Sequence, residues 1–371
     1  MDLNTFRDPQ IARGLIEAIR AVPTGPVKFM EVCGTHTVAI AKFGLRAVMP
    51  ESITLMSGPG CPVCVTPNRD IDIAVEYARQ TDVIVATFGD MMKVPGSYSS
   101  LSAEKADGRD VRIVYSPLDA LQIAESNPDK LVVFIGVGFE TTVPLIAAAI
   151  VRAQESGIAN FAVFSAHKTV PEALRALVND PQVAVRGLIL PGHVSTIIGV
   201  QPYRFLAEEF GVPSVITGFE PLDVLQGIYM LAKQVAEGRA EIETAYTRAV
   251  PPDGNPSAIA MMERVFEPAD SEWRGIGVIP ATGLAIRPEF ADFDAMRRLE
   301  VTPPEERSTP GCQCGEVLRG ITLPFECKHF GRACVPEHPV GPCMVSSEGS
   351  CAAYYRYTDY GKQTTTPASA E

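Results

Sequence analysis

Short apolar runs of strand length alternate with amphipathic helical patterns over most of the chain. The runs predict strands at 28–32, 53–57, 83–87, 112–115, 131–137, 161–165, 187–190 and 214–217. Between them the periodicity predicts helices at 37–48, 70–79, 118–125, 142–155, 171–178, 201–210 and 221–236. Apolar strands separated by helices signal parallel sheet covered on both faces. Ahead of them, 5–21 reads as an amphipathic helix with Ile11, Leu15, Ile16 and Ile19 on its apolar face, ended by Pro23-Thr-Gly-Pro26. The strand–loop–helix pattern occurs three times in each half. It predicts an α/β fold of two similar small doubly wound parallel-sheet domains, 25–125 and 126–220, with 1–24 packing on the body. Past 221 the texture changes. A long helix leads into 241–250, which continues helically, and Pro251-Pro-Asp-Gly-Asn-Pro256 breaks it. A further helix at 257–266 and an extended stretch at 275–284 follow. From Val301 the chain is rich in Pro, Gly and Cys, so 221–362 is expected to be a helical, Cys-rich domain, and 363–371 a disordered tail.

The length of 371 residues suits more than one core, and a 46% hydrophobic, 20% charged chain suits a globular protein. A net charge of −12 argues against nucleic acid, which needs clustered Lys and Arg. The start has no basic and apolar leader, and no apolar run reaches membrane length, so the expectation is a cytoplasmic protein with no membrane contact. In that compartment the 9 cysteines are poor material for a disulfide framework. They are also segregated: three precede residue 65, the rest follow residue 311, and the middle has none. That distribution points to metal or redox chemistry.

Glu31-Val-Cys-Gly-Thr-His36 lies between a strand and a helix, where open α/β sheets gather their ligands. Cys33 and His36 share one turn, as a metal-ligand pair or as a nucleophile and base. Gly58-Pro-Gly-Cys-Pro-Val-Cys64 follows the next strand. Cys61 and Cys64 have the spacing of a redox dithiol or of half a zinc site; no second Cys-x-x-Cys completes such a site, which favours redox use. Gly136-Val-Gly-Phe-Glu-Thr-Thr142 puts Glu140 at a helix start, and its missing third glycine weakens a dinucleotide reading. His193 in Pro191-Gly-His-Val194 and His167 also follow strands. If the two domains face each other, Cys33, His36, Cys61, Cys64, Glu140 and His193 line one cleft.

Near the C-terminus stand Cys312, Cys314, Cys327, Cys334, Cys343 and Cys351. Their long, irregular spacings and the poor placing of His329 and His338 favour an iron–sulfur centre over zinc. Cys314, Cys327, Cys334 and Cys351 make one ligand set, in which Cys312 can replace Cys314 and Cys343 can replace Cys351. Spacing does not choose among them.

Taken with the closing Cys343-Met-Val-Ser-Ser-Glu-Gly-Ser-Cys-Ala-Ala-Tyr-Tyr355, these motifs resemble the HypD family of hydrogenase maturation factors over nearly the whole chain. The resemblance implies a scaffold on which the Fe(CN)2(CO) group of [NiFe]-hydrogenase is assembled. HypC is implied as partner, HypE with HypF as cyanide donor, and the hydrogenase large subunit as indirect recipient. It implies that Cys33 holds the iron with a partner cysteine, that His36 supports it, and that Cys61 and Cys64 form a dithiol relay. It also implies a [4Fe–4S] cluster in the C-terminal region that passes electrons toward that dithiol. The competing expectation is a freestanding iron–sulfur thiol/disulfide reductase resembling ferredoxin–thioredoxin reductase.

Overall fold

The computed structural model describes residues 3–307 and 311–358. Eleven strands are present among them: β1 Val27–Glu31, β2 Ile53–Ser57, β3 Val83–Thr87, β4 Val111–Ile113, β5 Leu131–Gly136, β6 Phe161–Ser165, β7 Gly187–Pro191, β8 Ser214–Thr217, β9 Ile242–Thr244, β10 Phe266–Trp273 and β11 Gly277–Ile286. Two parallel sheets form the body, one in the order β2-β1-β7-β8-β9 and one in the order β4-β3-β5-β6. The inner strands are mostly apolar and buried, as a sheet covered by helices on both faces requires: β3 and β7 are buried at every position.

The sheets do not divide the chain at 125/126. The first takes β1 and β2 from before residue 58 and β7 to β9 from after residue 186. The second is built wholly from the intervening stretch. The chain therefore leaves the first sheet after β2, builds the second, and returns. A uniformly apolar strand does not encode its neighbour, so the repeated pattern predicted two sheets but not their interleaving.

Other differences are local. The helix expected at 37–48 is two helices, Gly34–Lys42 and Leu45–Val48, parted at Gly44, whose φ of +64° is the left-handed conformation that glycine tolerates. The stretch 241–250 is not helical. Gly238 ends the helix Pro221–Glu237 with φ +67°, the Gln234 side chain accepts a hydrogen bond from Glu241 N at 2.8 Å, and Ile242–Thr244 pairs with β8. The extended stretch near 275–284 is one arm of an antiparallel hairpin, β10–β11. Beyond Val301 the regular elements are short, chiefly the helices Cys314–Leu318, Pro342–Val345 and Ser350–Tyr357. The N-terminal helix Pro9–Ala21 packs on Pro221–Glu237 with Ile19 buried. The tail at 363–371 lies outside the described residues. Among the described residues, no helix is long and apolar enough to cross a membrane.

Candidate metal and thiol site

The first sheet explains how the early cysteines meet. β1 and β2 run side by side in parallel, with Glu31 level with Ser57, so the loops leaving them emerge together. Cys33 caps the helix Gly34–Lys42, which places His36 in its first turn. Gly58 N donates to Glu31 O at 2.8 Å, and Gly34 N to Gly60 O at 2.9 Å. A Cβ on Gly60 would lie 2.2 Å from Cys33 N, so only glycine permits this approach. Beneath the loops, buried Glu31 accepts from Arg46 at 2.6 Å and from Ser57 at 3.0 Å.

Cys61 caps the short helix Pro62–Val65, and its sulfur accepts from Cys64 N at 3.2 Å. The two cysteines are joined by a disulfide. Cys33 is a free thiol, and burial with the nearby Glu348 carboxylate pushes it up to about 11. It is therefore protonated at neutral pH until a cation displaces the proton.

His36 is fully buried. Its Nε2 lies 2.7 Å from Thr217 Oγ1 and 3.0 Å from Gly218 O, and its ring stacks on Phe219. Burial pulls it down to about 4, so the imidazole is neutral. Exposed His193, just beyond β7, lies against the same Phe219 with centroids 4.0 Å apart. The carboxyl ends of β2, β1, β7 and β8 thus bring Cys61, Cys33, His193 and Phe219 to one edge, where α/β sheets place ligands.

Glu140 belongs to the other sheet. It follows β5, is buried, and accepts from Val170 N at 2.8 Å, while Oε2 has no partner among the described residues. Burial pushes it up to about 7. No hydrogen bond links it to Cys33, His36 or His193 among the described residues. His167 is buried, bonded to Ser165 Oγ at 2.9 Å and packed edge-on to Phe266. Burial pulls it down to about 3, as befits a core imidazole.

The late cysteines form a wall behind this edge. Cys312, Cys314, Cys327, Cys334 and Cys351 line one small cavity, and fully buried Cys343 contacts Cys314 and Cys351. The Cys312 and Cys314 sulfurs are 3.2 Å apart. Among the described residues, no three His, Cys, Asp or Glu side chains gather closely enough to hold a single metal ion. His329 also lines the cavity, and the thiols around it are donors of the kind that could hold a polynuclear iron–sulfur centre, whose thiolates bind separate irons. The wall reaches the disulfide through the helix Pro342–Val345: Cys64 Sγ lies 4.0 Å from Pro342 O.

Sequence reasoning missed Glu348 as a site residue. Thr35 Oγ1 donates to Glu348 Oε1 at 2.6 Å, and a Cβ on Gly34 would lie 2.6 Å from the Glu348 Cβ. Its only signal was its place among the closing cysteines, more than three hundred residues from the turn it covers. Phe219 carried no signal at all.

Fold and site together define a mixed α/β protein of interleaved parallel sheets in which two separate thiol systems converge. Residues 10–358 match the family model HypD, described as the hydrogenase formation hypA family. The hydrogenase maturation factor HypD of Rhodobacter capsulatus is 48% identical over 364 residues, spanning 95% of this chain and 97% of that one. The factor of the same name from Cupriavidus necator is 46% identical over 365 residues, 96% of each chain. That of Escherichia coli K12 is 44% identical over 363 residues, 96% of this chain and 97% of that one. The chain belongs to the HypD family.

Proposed function

We propose that this protein is a [NiFe]-hydrogenase maturation factor, a scaffold on which an iron is held while it acquires cyanide and carbon monoxide. It works with HypC, receives cyanide from HypE with HypF, and serves the hydrogenase large subunit indirectly. The observation that carries this reading is the backbone-to-backbone clamp of the Cys33 turn on the Cys61–Cys64 loop, with a second thiol system directly behind Cys64.

Iron is the substrate here. Cys33 loses its proton on binding it, since a thiolate and not a thiol is the ligand. Its burial excludes water and leaves the bound iron's remaining positions to diatomic ligands and a partner thiolate. His36, fixed by Thr217 and Gly218 and stacked on Phe219, orients the turn rather than exchanging protons near neutrality. Glu348, tied to Thr35, sets a negative charge over the same turn. Opening the Cys61–Cys64 disulfide consumes two electrons and two protons and leaves two thiols beside Cys33. Cys314, Cys327, Cys334 and Cys351, with Cys312 and Cys343 as alternates, would hold a [4Fe–4S] cluster. When bound, that cluster supplies one-electron chemistry.

Infrared spectroscopy tests the proposal. Protein purified anaerobically from cells containing the maturation partners shows CN and CO stretches. Cys33→Ala loses both while keeping the iron–sulfur absorption. A freestanding disulfide reductase, the reading favoured by the nearness of the disulfide to the thiol wall alone, gives neither band. Retention of both bands by Cys33→Ala removes the assignment of that residue.

A further inference from the structure

The β10–β11 hairpin inserts its turn between the two thiol systems. A Cβ on Gly275 would lie 2.2 Å from Gly315 Cα, so the turn presses on the residue after Cys314. Beside it, Arg274 reaches the other way. Its backbone N donates to Val65 O at 2.9 Å, Nε donates to Thr66 O at 2.8 Å, and Nη1 donates to Asn68 Oδ1. All three acceptors belong to the short stretch Val65–Asn68 that follows Cys64. Nη2 is buried and has no partner among the described residues. A cavity of about 270 Å³ opens here, bounded by Arg274, Asn68, Glu306, Cys312, Cys314 and Pro342. Burial pulls the Arg274 pKa down, and the groups that oppose this are Cys314, Cys343, Cys312 and Glu306. Arginine keeps its charge under such conditions.

We infer that Arg274 is a positioning residue for the thiol wall, anchored on the Cys61–Cys64 segment, whose fixed positive charge raises the reduction potential of the iron–sulfur cluster held there. The inference rests on the cluster assignment proposed above. Reducing a cluster by one electron adds one negative charge to the cluster and its thiolates. A buried cation at its edge stabilises that state more than the oxidised one, and screening by salt is weak at a buried position. Net charge and hydrogen bonds at the sulfurs are the levers by which a protein sets such potentials. The unpartnered Nη2 is the donor available for the second lever.

The test is a dye-mediated potentiometric titration of the anaerobically purified full-length protein, with dithionite as electron donor and the cluster followed by visible absorption and electron paramagnetic resonance. Arg274→Gln shifts the midpoint to lower potential. Arg274→Lys, which keeps the charge and loses the planar fork, shifts it less than half as far. Glu306→Gln, which removes a negative charge bounding the same cavity, shifts it upward. Iron content and circular dichroism establish that each variant is folded and loaded. An Arg274→Gln protein that is loaded and has the wild-type midpoint overturns the inference. If Arg274→Gln does not retain iron, Glu306→Gln decides, and an unmoved midpoint there overturns it. Wild-type protein without an iron–sulfur spectrum sinks the cluster assignment and this inference together, whereas a loaded wild type with an unshifted Arg274→Gln sinks this inference alone.

Discussion

The turn carrying Cys33, Cys61 and Cys64 and the wall of late cysteines are both thiol sites, but they are held in place by different means. The first hangs from β1 and β2, paired along their full five-residue length, and its loops exchange backbone hydrogen bonds. Its geometry exists because a sheet exists. The second rests on helices of four to eight residues joined by turns, and its sulfurs supply much of what the segment buries. A segment with so few regular hydrogen bonds and so little aliphatic core draws stability from whatever its ligands bind. One site is built by the fold; the other helps to build it.

The largest effect that separates them is expected from the wall. Cys334→Ala or Cys351→Ala should lose iron, and residues 311–358 should become protease-sensitive while the two sheets keep their circular dichroism. Iron analysis with limited proteolysis reads this, and an iron-free variant with a protease-resistant C-terminal segment would break the comparison. Two glycines sharpen it next. Gly60→Ala forces a Cβ onto the Cys33 backbone and should cost about 3 kcal/mol or more in chemical unfolding, as overpacking against immobile atoms does, with the cluster retained. Gly341→Ala sets a Cβ 2.7 Å from the Cys312 and Cys314 sulfurs and should cost iron instead, with the Cys33 region unchanged.

Acid and base should also act unequally. Glu140 is pushed up to about 7 from an ordinary 4.5, so the folded state holds its proton where the unfolded chain has lost it. Its contribution is full below about 4.5 and is lost as pH rises through 7, on the order of 3 kcal/mol. Glu140→Gln should therefore melt above wild type at pH 8 and not at pH 5. His36 works in the opposite sense: held near 4, it contributes stability above 6.5 that is lost as pH falls through 4. In the metal-free protein the thiols of Cys312, Cys314, Cys334, Cys343 and Cys351 are all raised above their ordinary value, so these five add no slope between pH 5 and 8. The smallest effect belongs to Cys61→Ser. The disulfide closes a very short loop, so its loss costs about 2 kcal/mol at most in an oxidised sample. Maturation should nevertheless stop with the cluster intact, and a Cys61→Ser protein that matures hydrogenase normally would remove the relay.

The sequence by itself determined the parallel-sheet class, nearly every strand of the body, and the two groups of cysteines. Period and composition carry that information locally: an apolar run bounded by turns is a strand wherever it ends up, and Cys33 and His36 share a turn because they are three positions apart. Only the tertiary structure decided that β7 lies beside β1, that Ile242–Thr244 joins the sheet instead of prolonging a helix, and that Glu348 covers Gly34. It also decided that His193 stands on the sheet of Cys33 and not on that of Glu140, and that Arg274 lies between the disulfide and the wall. These are pairings across tens to hundreds of residues. They depend on which surfaces bury best together, a property of the whole packed molecule that no local pattern records.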